Sequence, residues 1–198
     1  MRTLYLLGLT YLALSGYALW RGPVRFSPNP TVVIAPVVPV APVQPAGSDA
    51  AAWFQQIKPF CNSLEVEMTL RSRPAPTSVD GAGYEAACWA LGGRIAKARA
   101  RILELQPNDR WTAAGIVFDI GHPIADMGDD RSAGPIMELV IEFWPNHYMA
   151  LYHAGAARYA LGDRDAARRH LVEFLTYYHE DDGWTGNART MLAELGVQ

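Results

Sequence analysis

The chain has 198 residues, room for one domain and its attachments but not for two full domains. It is 50% hydrophobic and 19% charged, which excludes a disordered polar chain. Arg2, Arg21 and Arg25 are the only charges before Asp49, so the rest carries 14 basic and 20 acidic side chains; that balance of −6 argues against a nucleic-acid partner, and two cysteines are too few for a disulfide scaffold or a Cys-only zinc site.

Residues 3–20 (TLYLLGLTYLALSGYALW) contain no charge and are bracketed by Arg2 and Arg21. As a helix they would extend roughly 27 Å, close to a bilayer core of about 30 Å. Tyr5, Tyr17 and Trp20 stand near the ends, where amphipathic rings favour the interface. This reads as a transmembrane anchor, residues 1–21, in contact with lipid through residues 3–20. The rival reading is a cleaved signal peptide with Ala13-Leu14-Ser15 as its processing site. Tyr17 stands where a lipidated cysteine would be needed, so lipoprotein processing is excluded. The positive-inside count is tied between the two ends. The simplest topology exports everything after the anchor, which implies a single-pass protein of a bacterial inner membrane with its carboxyl-terminal domain in the periplasm.

Residues 22–48 form a Pro/Val-rich arm. Pro36, Pro39, Pro42 and Pro45 recur every third residue, the period of polyproline II, so their rings share one edge. Between Val32 and Val43 the arm carries six valines, one isoleucine and no charge. An inert spacer is one reading. Spacers are commonly Gly, Ser or charged, however, and an exposed apolar ribbon is costly in water. The alternative is that the arm lies along a partner surface.

From Asp49 onward (residues 49–198) the pattern is helical. Asp49 to Arg73 reads as one helix bent at Pro59, with Trp53, Phe54, Phe60, Leu64 and Met68 as its apolar stripe. An internal repeat follows. Gly93 precedes Ala98, Ile102 and Leu105; Gly128 precedes Ala133, Met137 and Val140; Gly162 precedes Ala167, Leu171 and Phe174. The offsets are identical, and the glycines lie 35 and 34 residues apart. A fixed period near 34 marks stacked helical hairpins. The glycine supplies the turn, the small alanine permits close approach, and the later apolar residues share one helix face. Pro107 and Pro145-Asn146 end the second helices. Pro123 is expected to interrupt the middle copy, whose first helix would run from Asp109 to Gly121. Thr185 to Leu195 reads as a closing helix.

The third copy resembles a tetratricopeptide repeat. The family's Leu-Gly pair appears as Ala154-Gly155, its turn as Gly162-Asp163, its small residue as Ala167 and its later apolar positions as Leu171 and Phe174. His179 stands where the closing proline is expected, and Glu85-Ala86 replaces Leu-Gly in the first copy. The resemblance covers Val79 to Asp181. It implies an all-α fold: a short solenoid of about three hairpins with flanking helices at each end. It also implies a concave groove lined by first helices, which places Phe118, His122 and Asp126 of the middle copy, and Met149, Tyr152 and Tyr159 of the third, as partner-binding residues. Trp144 and Trp184 are assigned to packing.

Cys61 and Cys88 fall on neighbouring helices of this scheme, and two states are open to them: a disulfide in an oxidising compartment, or a pair of buried thiols. The stretch from His122 to Ser132 is the one cluster of potential metal ligands. Its spacing fits neither a calcium loop nor a zinc motif, so Asp129, Asp130 or Ser132 is read as a helix cap, and no metal or cofactor is assigned. His147 and His153, six residues apart, are read as ordinary helix histidines. Arg94, Lys97, Arg99, Arg101, Arg164, Arg168 and Arg169 lie on second helices, as a solvated basic face or a dock for an acidic partner or lipid headgroups. The expectation is a non-catalytic, membrane-anchored accessory subunit that contacts the protein subunits of a respiratory, photosynthetic or envelope complex. The alternatives are a periplasmic peptide-binding adaptor of envelope biogenesis and a metal-dependent enzyme built on His122, Asp126 and Asp129.

Overall fold

The computed structural model describes residues 46–196, and among these the chain is all-α, with nine α-helices and no strand. The anchor expected at 3–20 and the arm prolines Pro36, Pro39, Pro42 and Pro45 lie outside the described residues. Among the described residues no helix is long and apolar enough to cross a membrane.

The hairpins follow from one local device used three times. Helices α3 (Val79–Leu91) and α4 (Ile95–Leu103), α5 (Arg110–Asp126) and α6 (Asp130–Phe143), and α7 (Tyr148–Ala160) and α8 (Arg164–Tyr177) are joined through Gly93, Gly128 and Gly162. These glycines have φ of 72°, 76° and 82°, the left-handed region in which a side chain costs about 1–2 kcal/mol. Each turn closes with the same pair of backbone bonds. In the third, Gly162 N–H donates to the Tyr159 carbonyl (3.0 Å) and Asp163 N–H to that of Arg158 (2.9 Å). This is the Schellman arrangement, which answers carbonyls the ending helix would leave bare. Asp129 and Asp163 then cap the next helix, their Oδ1 atoms accepting from Ser132 and Ala166 N–H. Arg94 occupies that position in the first copy and offers no acceptor. There α4 is only nine residues long and ends before Leu105, one of the residues that carry the repeat.

Packing fixes the stack. Helix α3 lies against α4 and α5, α5 against α6, and α7 against α6 and α8. Gly155 of α7 meets the Leu171 side chain so closely that a Cβ would stand 2.7 Å from Leu171 Cγ. A carboxyl-terminal helix, α9 (Gly183–Glu194), closes the array. It opens with a capping box between Asp182 and Thr185 and packs on α7 and α8.

Three sequence expectations change. Asp49 to Arg73 is not one bent helix. Helix α1 (Ala46–Ile57) passes into a 3-10 turn (Lys58–Phe60) that contains Pro59, and α2 (Val66–Ser72) follows after a break. In that break Asn62 Oδ1 accepts from Leu64 and Glu65 N–H, a side-chain turn that competes with the helix. Leu64 and Met68 are accordingly exposed, not part of an apolar stripe. Pro123 does not interrupt the middle copy: α5 runs through it to Asp126. The ring removes the donor that would answer the Asp119 carbonyl and crowds that carbonyl, but Ile124 and Ala125 beyond it are held against the core. The closing helix begins at Gly183, two residues before Thr185.

Cys61 lies just after the 3-10 turn and not within a helix, and it forms a disulfide with Cys88 of α3. The bridge closes a 27-residue separation, which by loop closure alone is worth about 3–4 kcal/mol. Replacing both cysteines by serine is expected to lower the unfolding free energy by about 2–4 kcal/mol. Urea titration should show this, and reductant should do the same to the wild type but nothing further to the double variant.

A second tie joins three consecutive helices. Glu138 of α6 accepts from Arg158 Nε of α7 (2.6 Å), and His170 Nε2 of α8 lies 3.6 Å from the same carboxylate. Burial would raise the Glu138 carboxyl, but the His170 imidazole beside it and the hydrogen-bonded Arg158 guanidinium outweigh that and bring it down to about 2. A depressed carboxyl stabilises the fold above its ordinary value of 4.5, and this stabilisation disappears as pH falls toward about 2. Glu138→Gln should therefore cost about 1–3 kcal/mol at neutral pH. The gap between variant and wild type in urea midpoint should narrow steadily below about pH 4.

Candidate functional site

The first helices of the second and third hairpins, α5 and α7, share a wall dense in rings. Phe118 stands on α5 and stacks on His122 one turn later, with centroids 4.7 Å apart. The α6–α7 connection brings Trp144 and His147 against the same wall. His147 lies 4.1 Å from Phe118 and 4.6 Å from Trp144, ring to ring. The sequence places His147 there because it caps α7: its Nδ1 accepts from Ala150 N–H at 3.2 Å. Trp111 closes the edge of the group against Trp144.

These rings enclose an open pocket of about 440 Å³, lined by Phe118, Trp144, His147, Tyr148 and Met149, with Asp119 and Asn146 as its polar minority. Phe118 and Met149, two of the residues the family resemblance points to, meet here. Tyr148 is 42% exposed at the rim.

Tyr152 and Tyr159 are not part of this pocket. They lie seven residues apart, on one stripe of α7. That stripe faces the closing helix. Tyr152 is 7% exposed and packs edge to face on Phe174 and Trp184, with centroids 5.2 and 4.9 Å away. The Tyr159 hydroxyl donates to Glu194 of α9. The cap thus covers the third hairpin, where the resemblance implied an open groove.

His122 and Asp126 lie one turn apart on α5, and the structure adds His153 of α7 to them. Asp126 Oδ1 is 3.4 Å from His122 Nε2 and 3.7 Å from His153 Nε2. The imidazoles meet edge to face at 4.8 Å. His153 is 6% exposed, His122 is half-buried, and the Asp126 carboxylate reaches solvent. Burial, with His122 nearby, lowers the His153 ring to about 4 despite Asp126, so it is neutral at neutral pH. Burial likewise lowers His147.

Asp129 does not join this group. Its carboxylate caps α6, as expected of one of the three capping candidates, and burial with the Asp129 charge beside it raises Asp130. Two signals for the missed residues were present in the sequence. Met149 and His153 are four apart, and so face one way; and Phe118 and Tyr152 are 34 apart, one repeat, which sets α5 beside α7.

The basic side chains of the second helices are largely engaged within the chain. Arg94 and Lys97 pair with Glu67, Arg99 with Glu142, and Arg101 with Glu85 and Glu104. Arg164 and Arg168 donate to the carbonyls of Glu194 and Leu195, which ties α8 to the carboxyl-terminal segment. Comparison with protein-family models, with curated proteins and with solved structures finds no match.

Proposed function

We propose that this protein is a non-catalytic docking subunit, a tetratricopeptide-like helical array that receives a segment of a neighbouring protein in the pocket between α5 and α7. The observation that carries this reading is the pocket itself. Its walls are aromatic and thioether side chains, Tyr148 at its rim is half exposed, and its polar groups are few, which is the composition of a site that anchors a partner side chain. The repeated glycine turn and the close Gly155–Leu171 contact support the likeness to the repeat family.

Residues 3–20 would hold the array at a bacterial inner membrane, and the arm of residues 22–48 would lie against the same complex. The Cys61–Cys88 bridge supports an oxidising compartment, hence a periplasmic array. With most second-helix cations answered internally, an apolar segment fits the wall better than an acidic one.

The test is detergent extraction of the native membrane, purification of the full chain and mass analysis of what accompanies it. Tyr148→Glu places a charge at the rim; the ring is half exposed, and the one aromatic contact it gives up beyond the pocket is its stack on Tyr178. It should reduce recovery of the accompanying subunit at least tenfold while leaving the helical circular dichroism unchanged. Equal recovery with the variant would overturn the pocket as the docking site.

A further inference from the structure

The α5–α7 seam holds an arrangement that docking does not use. Among the described residues four enclosed side-chain nitrogens have no hydrogen-bond partner, and two of them are His122 Nε2 and His153 Nε2, which face the same carboxylate. A buried imidazole nitrogen left without a partner is destabilising, because it gives up its water and gains nothing in return. The ordinary explanation would be a histidine–aspartate hydrogen bond, but neither nitrogen makes one. The His153 contact at 3.7 Å is too long, and the His122 contact at 3.4 Å is not aimed for it.

The same distances suit a different bond. Ligands at about 2.0–2.1 Å from a tetrahedral zinc ion are separated from one another by roughly 3.3 Å. Two sides of this triangle, 3.4 and 3.7 Å, lie within a few tenths of an ångström of that separation. The three donor atoms all fall within 4.8 Å of one another, and binding would draw the two imidazole nitrogens to within about 4 Å, the most that two bonds of about 2.0–2.1 Å can span. We propose that His122, Asp126 and His153 form a binding site for one divalent first-row transition ion of the zinc class, clamping α5 to α7.

The donor set selects the ion. Calcium and magnesium prefer all-oxygen surroundings, whereas two imidazoles and one carboxylate suit zinc and its neighbours. Three protein ligands leave a coordination position for water or for a donor from outside the chain. The exposed edge of Asp126 gives the ion its way in. The rings of Phe118 and Trp184, stacked on His122 and edge-on to His153, wall the other side from water. This assignment is independent of the docking pocket and would stand if that reading failed.

The experiment is a calorimetric titration of zinc ion alone into the untagged full chain in detergent, after stripping with a chelator. The expected result is one ion per chain, with a rise of several degrees in the unfolding temperature. His153 is buried, and His153→Gln risks the fold for unrelated reasons; Asp126→Asn, at a half-exposed carboxylate, keeps the test decisive. Asp126→Asn and His122→Gln should each weaken binding at least tenfold and abolish the thermal shift, with helical content retained. Absence of zinc binding in the wild type would overturn the proposal. So would binding that Asp126→Asn and His122→Gln leave unchanged, because it would assign the ion to other histidines.

Discussion

The left-handed turn at Gly93, Gly128 and Gly162 is the constraint from which the rest of the array follows. Each turn reverses the chain within three residues and spends its backbone groups on the helix it ends, so the exit direction is the same every time. Identical reversals at intervals of 35 and 34 residues return each first helix to the same side of the stack. Phe118 and Tyr152 thereby occupy equivalent places on one wall, and His153 is carried beside His122 although 31 residues separate them. No local interaction between those histidines would bring this about; the turn does it through the phase of the helices.

The array is secured differently along its length. At the amino-terminal end the Cys61–Cys88 bridge holds the break after α1 against α3. At the carboxyl-terminal end Trp184 and the capping box of α9 seal the third hairpin. Exposed pairs such as Arg99–Glu142 run between hairpins and set register more than they stabilise, since exposed ion pairs are worth about 0–1 kcal/mol. Among the described residues the middle seam, between α5 and α7, holds two of the four unanswered nitrogens beside an open aromatic wall. Local rules are usually broken where a structure serves something beyond its own stability.

What could be read from the residues divides along the same line. The hairpins were legible because glycine at a positive-φ turn, a small residue at a close crossing and an apolar stripe each leave a residue-specific mark. The middle helix was not. Pro123 has the look of a stop, yet one lost donor and one crowded carbonyl near a helix end do not outweigh the burial beyond them. The break after Pro59 was misread for the converse reason: Asn62 offers the backbone a turn that no hydrophobic pattern reveals. Phe118 and Met149 of the implied groove meet in the pocket, whereas Tyr152 and Tyr159 lie under α9, because a pattern taken from a repeat does not say which end the cap will cover. The linkage of His122 and Asp126 was visible as a one-turn spacing. Their third member was hidden, because His153 is supplied by register between hairpins, and Asp129, the nearer candidate in sequence, is consumed by its helix.

The pocket and the histidine cluster are not mechanically separate. Phe118 is a wall of the pocket and is also the ring on which His122 stacks, 4.7 Å away. An ion that fixed the His122 ring would fix the face against which Phe118 rests, and a segment seated in the pocket would press on the same pair from the other side. Coupling of this kind is reciprocal in free energy: whatever advantage the ion gives the docked state, docking returns to the ion. Because Phe118 and His122 are in direct ring contact, no moving domain is needed to relate the two.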